Sequence, residues 1–190
     1  MYVAAVVGNQ SVGGYLRDCV TFTNLDGVAF TKLGETNFLY IPPNLLAGLS
    51  VFTLRTNINI ASNVWAAGFD QSVNPPDSCD IYVVGISNLV NGSLVQSRFN
   101  GSVTNGALTP LTNVLSAAPG PSSTVLVFAS QAITPSGFTN ATLPILGTLT
   151  IGAPSTSLTA IANTNSSATA SNAVLSSSGT FWALVGMEFN

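Results

Sequence analysis

Three carboxylates fall within eleven residues, at Asp70, Asp77 and Asp80, in the segment DQSVNPPDSCD. Ser72, Asn74 and Ser78 add further oxygen donors to the same stretch. Calcium takes six to eight hard oxygen ligands, and a loop of this kind offers them. The spacing matches no EF-hand pattern, and a polar turn whose Asp and Asn side chains cap the backbone uses the same residues. Asp70, Asp77 and Asp80 are therefore the calcium candidates, and no other cofactor is expected. Cys19 and Cys79 stand 60 positions apart. Bridged, they would close a long loop worth roughly 4 kcal/mol in the chain-entropy account, and the bridge would imply an oxidising compartment. Unbridged, they would act as small buried hydrophobes. The bridge is the expectation, since little else in the sequence anchors the loops. Glu35 and Glu188 are the only glutamates, and two carboxyls are what glycoside hydrolysis requires. Both sit beside turn or terminal signals, so they read as solvated surface carboxylates and no catalytic residue is expected.

Charge is scarce throughout. Four Lys or Arg and seven Asp or Glu make up 6 % of 190 residues, for a net charge of −3, where about a quarter of an ordinary globular chain is charged. The polar mass comes instead from 22 Ser, 20 Thr and 18 Asn. Arg17, Lys32, Arg55 and Arg98 are too few and too scattered to release counterions from a phosphate backbone, so no nucleic-acid partner is expected. Attraction to acidic membranes is excluded on the same ground. The chain has no His, which removes the Ser-His-Asp and Cys-His nucleophile systems and the commonest zinc ligand. Five Asn-x-Ser/Thr sequons occur, at Asn9, Asn91, Asn100, Asn140 and Asn165. Chance alone gives about four at this composition, so they carry no argument for glycosylation.

The elements that must position these groups read as β throughout. Segments rich in Val, Ile, Thr, Phe and Tyr alternate with Gly, Pro, Asn and Ser clusters. Ser50–Ile60 has period two, with Phe52, Leu54, Ile58 and Ile60 on one face, and reads as a half-buried strand. Thr124–Ala129 is a continuous apolar run, as for a strand covered on both faces. Asp80–Ile86 and Thr180–Phe189 read the same way. Further strands are expected over Val3–Val7, Tyr15–Thr23, Val28–Lys32, Phe38–Ile41, Val64–Phe69, Leu94–Phe99, Thr148–Ile151 and Leu158–Ala162. Asn24-Leu25-Asp26-Gly27, Asn100-Gly101 and Asn105-Gly106 mark turns. Pro42-Pro43, Pro75-Pro76 and Pro119-Gly120-Pro121 mark loops, because proline donates no ladder hydrogen bond. Pro43–Gly48 suits a single helical turn, and Asn163–Ser178 an exposed loop with a weak edge strand. The expected fold is all-β: a single-domain β-sandwich over residues 1–190, of jelly-roll or immunoglobulin-like type, with about ten short strands and no long helix. Mean hydropathy is +0.47, yet no apolar stretch reaches the ~18 residues a spanning helix needs, so no membrane span is expected. A membrane β-barrel fits poorly, since its strands would alternate towards a polar lumen. No signal-peptide pattern is expected at the N-terminus, where no basic residue precedes the apolar stretch.

The segment VWAAGFDQSVNPPDS resembles strand-turn segments of cohesin-like sandwiches over fifteen residues. It contains no diagnostic motif, and no function is carried over from it. The overall composition looks like that of coat and filament subunits. A charge-poor surface lacks the repulsion that keeps monomers apart, and edge strands without Lys lack their usual guard. The two ends, over 1–8 and 179–190, are apolar, strand-like segments suited to exchange between copies. Tyr2, Val3, Val6, Val7, Phe181, Trp182, Leu184 and Val185 are the candidate assembly residues, through strand addition. The expectation is a non-enzymatic structural subunit of an extracellular filament or a virion coat or decoration layer. Its partners would be copies of itself, with other virion or cell-envelope proteins and glycans as further partners. The alternative is a carbohydrate-binding or adhesion module, which predicts an exposed row drawn from Trp65, Trp182, Tyr2, Tyr15, Tyr40 and Tyr82.

Overall fold

The computed structural model describes residues 1–9, 18–41, 45–56, 60, 64–70, 78–101, 111–117, 119–120, 122–132, 139–140, 145–150, 156–163, 172–176 and 182–190. Among these the chain is all-β, without a helix. Its strands are β1 (Tyr2–Asn9), β2 (Cys19–Asn24), β3 (Thr31–Ile41), β4 (Leu45–Leu54), β5 (Trp65–Phe69), β6 (Ser78–Gly85) and β7 (Leu94–Gly101). There follow β8 (Leu111–Val114), β9 (Thr124–Ala132), β10 (Thr139–Asn140), β11 (Ile145–Thr150), β12 (Thr156–Asn163), β13 (Asn172–Ser176) and β14 (Trp182–Phe189). They form a four-stranded sheet β3-β4-β1-β6, a five-stranded sheet β11-β12-β9-β14-β7, a two-stranded sheet β2-β5 and a three-stranded sheet β10-β13-β8.

The four- and five-stranded sheets pack face to face, sandwich fashion. Successive side chains on a strand point to opposite faces. Val3, Ala5 and Val7 of β1, with Leu49 and Val51 of β4, therefore meet Leu126 and Phe128 of β9 and Ala183, Val185, Met187 and Phe189 of β14. The alternate residues of β1 and β4 enter a second core. There Ala4, Val6 and Phe52 pack with Cys19, Phe22 and Phe69 of the two-stranded sheet and with Phe30. Phe22 is its centre, edge-on to Phe30 at 5.0 Å and stacked with Trp65 at 5.8 Å. Burying such a ring contributes about 1.5–3 kcal/mol. The four-stranded sheet is thus an inner layer covered on both faces, which is why β1 reads as an unbroken apolar run.

The same burial corrects the reading of Ser50–Ile60. The strand there starts earlier and ends at Leu54. Ser50, Val51 and Phe52 are all fully buried, so the strand is covered on both faces rather than half-buried. Leu45–Gly48, expected in a helical turn, opens this strand instead, paired to β3 from Leu45 onward. Of the strand expected over Val28–Lys32, only Thr31 and Lys32 lie in β3, while Ala29 makes an isolated bridge to Thr23; β3 runs on through Phe38–Ile41, with irregularities at Lys32/Gly34 and Leu39/Ile41. Asn100-Gly101, read as a turn, ends β7, opposite Leu184 and Ala183. A Cβ on Gly101 would lie 2.1 Å from the Asn37 carbonyl oxygen; only glycine lets β7 close against β3 here. The expected weak edge strand within Asn163–Ser178 is β13, flanked on both sides by β10 and β8. The turn at Asn24–Gly27 forms as expected. Gly27 takes φ +76° and donates to the Asn24 carbonyl at 3.1 Å, while Val28 N–H donates to Asn24 Oδ1 at 2.8 Å. The turn expected at Asn105-Gly106 and the Pro42-Pro43 and Pro75-Pro76 loops lie outside the described residues.

Candidate functional site

Among the described residues, chemistry-bearing or contact-forming groups stand at the terminal strands, in a carboxyl cluster at the two-stranded sheet, and at a buried glutamate on β14. The termini come first. β1 lies between β4 and β6, and β14 lies between β9 and β7. Val3, Val6, Val7, Leu184 and Val185 are buried, as is Trp182; Tyr2 is half-buried. Phe181 lies outside the described residues. The Met1 ammonium donates to the Ile86 carbonyl at 3.0 Å. At the other end Asn190 N–H donates to Ser93 O at 3.0 Å, and Asn91 and Ser93 N–H donate to Asn190 O. In the single chain both terminal strands thus complete its own sheets, and an exchange between copies would have to reproduce these same pairings.

The cluster at the two-stranded sheet gathers Asp18, Lys32, Glu35 and Asp70. Lys32 and Glu35 form an ion pair on β3. Asp18 hydrogen-bonds the Glu35 carboxyl. Burial, then the Glu35 bond and charge, push the Asp18 carboxyl up to about 6, against a smaller lowering by Lys32. Asp18 therefore keeps its proton up to about pH 6 and loses it above. Of the calcium candidates, Asp70 is exposed, Asp80 on β6 is buried, and Asp77 lies outside the described residues. Among the described residues no three His, Cys, Asp or Glu side chains are grouped to hold a metal.

Glu188 was not legible as what it is. It is 2 % exposed, so the reading as a solvated terminal carboxylate is overturned. Its Oε1 accepts from Gly120 N–H at 2.8 Å, and its Oε2 from Gln96 Nε2 at 2.6 Å; the Ser123 hydroxyl also bonds it. Burial alone would raise its pKa, but these three donors more than offset that and leave it lowered. Gln96 in turn accepts from Ser116 Oγ at 2.8 Å and Ala117 N–H at 3.1 Å. Glu188 and Gln96 together tie Ser116, Ala117, Gly120 and Ser123 to the outer face of the five-stranded sheet. An open cavity of about 390 Å³ lies beside them, bounded by Val95, Ser116 and Asn190 among others. The signal was present in the sequence: a lone acid inside the run TFWALVGMEF needs a partner if the run is buried.

The two glutamates do not form a catalytic pair. Glu35 stands opposite Ser50, whose neighbours Leu49 and Val51 face the five-stranded sheet, so Glu35 points away from that sheet. Glu188 stands between Met187 and Phe189, which face the core, so it points away from the four-stranded sheet. The two carboxyls lie on the far sides of sheets stacked about 10 Å apart, too distant to flank one glycosidic bond. The aromatics of the expected row whose side chains are described are spent on packing; the Tyr40 side chain is not among them. Trp65 is half-buried against Phe22 and Phe30, Trp182 is buried, and Tyr2 and Tyr82 pack against the two cores. Tyr15 lies outside the described residues. Exposed aliphatic side chains do occur. Leu25, Val28 and Val64 are exposed at or beside the Asn24–Gly27 turn, where Leu25 N–H donates to Val64 O at 3.1 Å; Val20, Val90 and Val95 are exposed elsewhere.

No helix among the described residues is long and apolar enough to cross a membrane. No family model matches the chain, and comparison with curated proteins and with solved structures returns no match.

Proposed function

We propose that this chain is a non-enzymatic structural subunit that associates with copies of itself, in an extracellular filament or a virion coat or decoration layer. The observation that carries this reading is the surface. Eleven charged side chains serve 190 residues, while Leu25 and Val90 remain about 70 % exposed. A surface so short of charge gains little from staying apart and loses little on contact. Association through sheet edges and exchanged terminal strands is the proposed mode. In an exchange, β1 of one copy would take the place of β1 in the next, between β4 and β6, and main-chain hydrogen bonds would be conserved overall.

We also place the sandwich in the jelly-roll or immunoglobulin-like class. Antiparallel partners far apart in sequence, β1 with β6 and β14 with β7, are what Greek-key crossings produce. The carbohydrate-binding alternative needs an exposed aromatic row, and the described tryptophans lend it no support. Size-exclusion chromatography with light scattering tests the reading. Mass that grows with protein concentration is expected; a single monomer mass at the highest concentration attainable would refute it.

A further inference from the structure

Cys79 is the second residue of β6 and stands opposite Gly8 of β1. Residues directly opposite on paired strands share a face. On this strand pair Ile81 opposes Val6 and Val83 opposes Ala4, and all four belong to, or pack against, the second core. Cys79 therefore projects towards that same interlayer, at its open end, beside a position where Gly8 carries no side chain. Cys19 enters the interlayer from the facing two-stranded sheet. It is 1 % exposed and part of the same core. Both are free thiols here, Cys19 buried and Cys79 exposed, and the Cys19 thiol donates to Thr21 O at 3.2 Å.

We propose that Cys19 and Cys79 form an intrachain disulfide that staples the two-stranded sheet to the four-stranded sheet. Each cysteine lies at the first or second position of its strand. The order of events follows from accessibility. Burial, with the nearby Cys79 charge as a lesser cause, pushes the Cys19 thiol up to about 12, so at neutral pH it stays protonated and reacts slowly with reagents in solution. Burial and the Asp80 charge raise the Cys79 thiol as well, but Cys79 is the one that solvent reaches, and it reacts first. Its thiolate attacks one sulfur of a small-molecule disulfide such as oxidised glutathione, forming a mixed disulfide and releasing one glutathione thiolate. Cys19, now beside the mixed disulfide, gives its proton to water; its thiolate attacks Cys79 Sγ, and the second glutathione thiolate leaves. Two protein thiols are oxidised and one glutathione disulfide is reduced to two thiols. The inference rests on the second core and is independent of the assembly reading.

The test uses the native full chain in oxidised glutathione at about pH 8.5, where the Cys79 thiolate is more populated. Thiol titration, intact mass and non-reducing tryptic mapping are read together. Cleavage after Arg17, Lys32, Arg55 and Arg98 places the cysteines in separate peptides, 18–32 and 56–98. Expected are loss of both thiols, a mass lower by two hydrogens, and a cross-linked pair of those peptides. A rise in Tm of about 10 °C, reversed by reductant, should accompany them. Cys79→Ser should block all of this and leave Cys19 unreactive until the chain unfolds. A stable glutathione adduct on Cys79 with Cys19 still reduced, or a covalent dimer through Cys79, would overturn the proposal. The wild-type mass and peptide map decide even if a variant fails to fold.

Discussion

Replacing Glu188 by Gln removes a buried charge while keeping its shape, and the consequence can be worked from its partners. The carboxylate accepts from Gly120 N–H, Gln96 Nε2 and the Ser123 hydroxyl. A glutamine keeps one acceptor oxygen and turns the other into an amide donor. That donor would face either Gly120 N–H or the Gln96 amide, so one favourable contact becomes donor against donor. Hydrogen bonds to a charged group are worth about 1.5–3 kcal/mol each. The Gln96 amide keeps Ala117 O at 2.9 Å and the Ser123 hydroxyl can rotate, so roughly one such bond is lost outright. The expected destabilisation is about 2 kcal/mol. With a urea m-value of about 2 kcal/mol/M, the midpoint should fall by about 1 M at pH 7. The pH dependence adds a second check. A carboxylate whose folded pKa is lowered stabilises above its unfolded pKa, near 4.5, and loses that stabilisation as pH falls through the folded value. Wild type and variant should therefore converge in acid. A midpoint shift below about 0.3 M at pH 7, or a gap that persists unchanged in acid, would refute the reasoning.

Asp18 has the opposite sign. Its pKa is raised from 3.8 to about 6 in the fold, so the folded state holds its proton more tightly, and stability should fall as pH rises from about 4 to about 6. Asp18→Asn, which mimics the protonated acid, should flatten that slope and raise the urea midpoint at pH 7; an unchanged slope contradicts it. Gly101→Ala places a methyl group 2.1 Å from the Asn37 carbonyl oxygen. It should cost about 1–3 kcal/mol by chemical denaturation, and a neutral result would mean that β7 and β3 do not close as described.

Much of the fold was legible because strand residues announce themselves. Thr124–Ala129 read as a doubly covered strand and is buried throughout. The Asn24–Gly27 turn was written in its Asn and Gly. What escaped were features that depend on contacts between distant segments. The helical reading of Pro43–Gly48 weighed local signals alone, whereas pairing of Leu45 with Ile41 makes the segment a strand. Asn100-Gly101 has turn chemistry, but Gly101 serves a close approach between β7 and β3 instead. Glu188 looked terminal and solvated because its donors, Gln96 and Gly120, lie 92 and 68 positions away. Asp18 was passed over entirely, since only the fold brings it to Glu35. The terminal segments were recognised as strands, but their apolar character cannot by itself distinguish a central strand of one chain from a strand given to its neighbour.

The self-association of this chain is the central claim, and it is tested most directly by electron microscopy of the purified, concentrated full-length protein. Ordered particles or filaments of repeating subunits are predicted. Their formation should be nearly indifferent to salt, because so few charges are available to be screened. A uniform field of single subunits at every concentration and ionic strength would contradict the account.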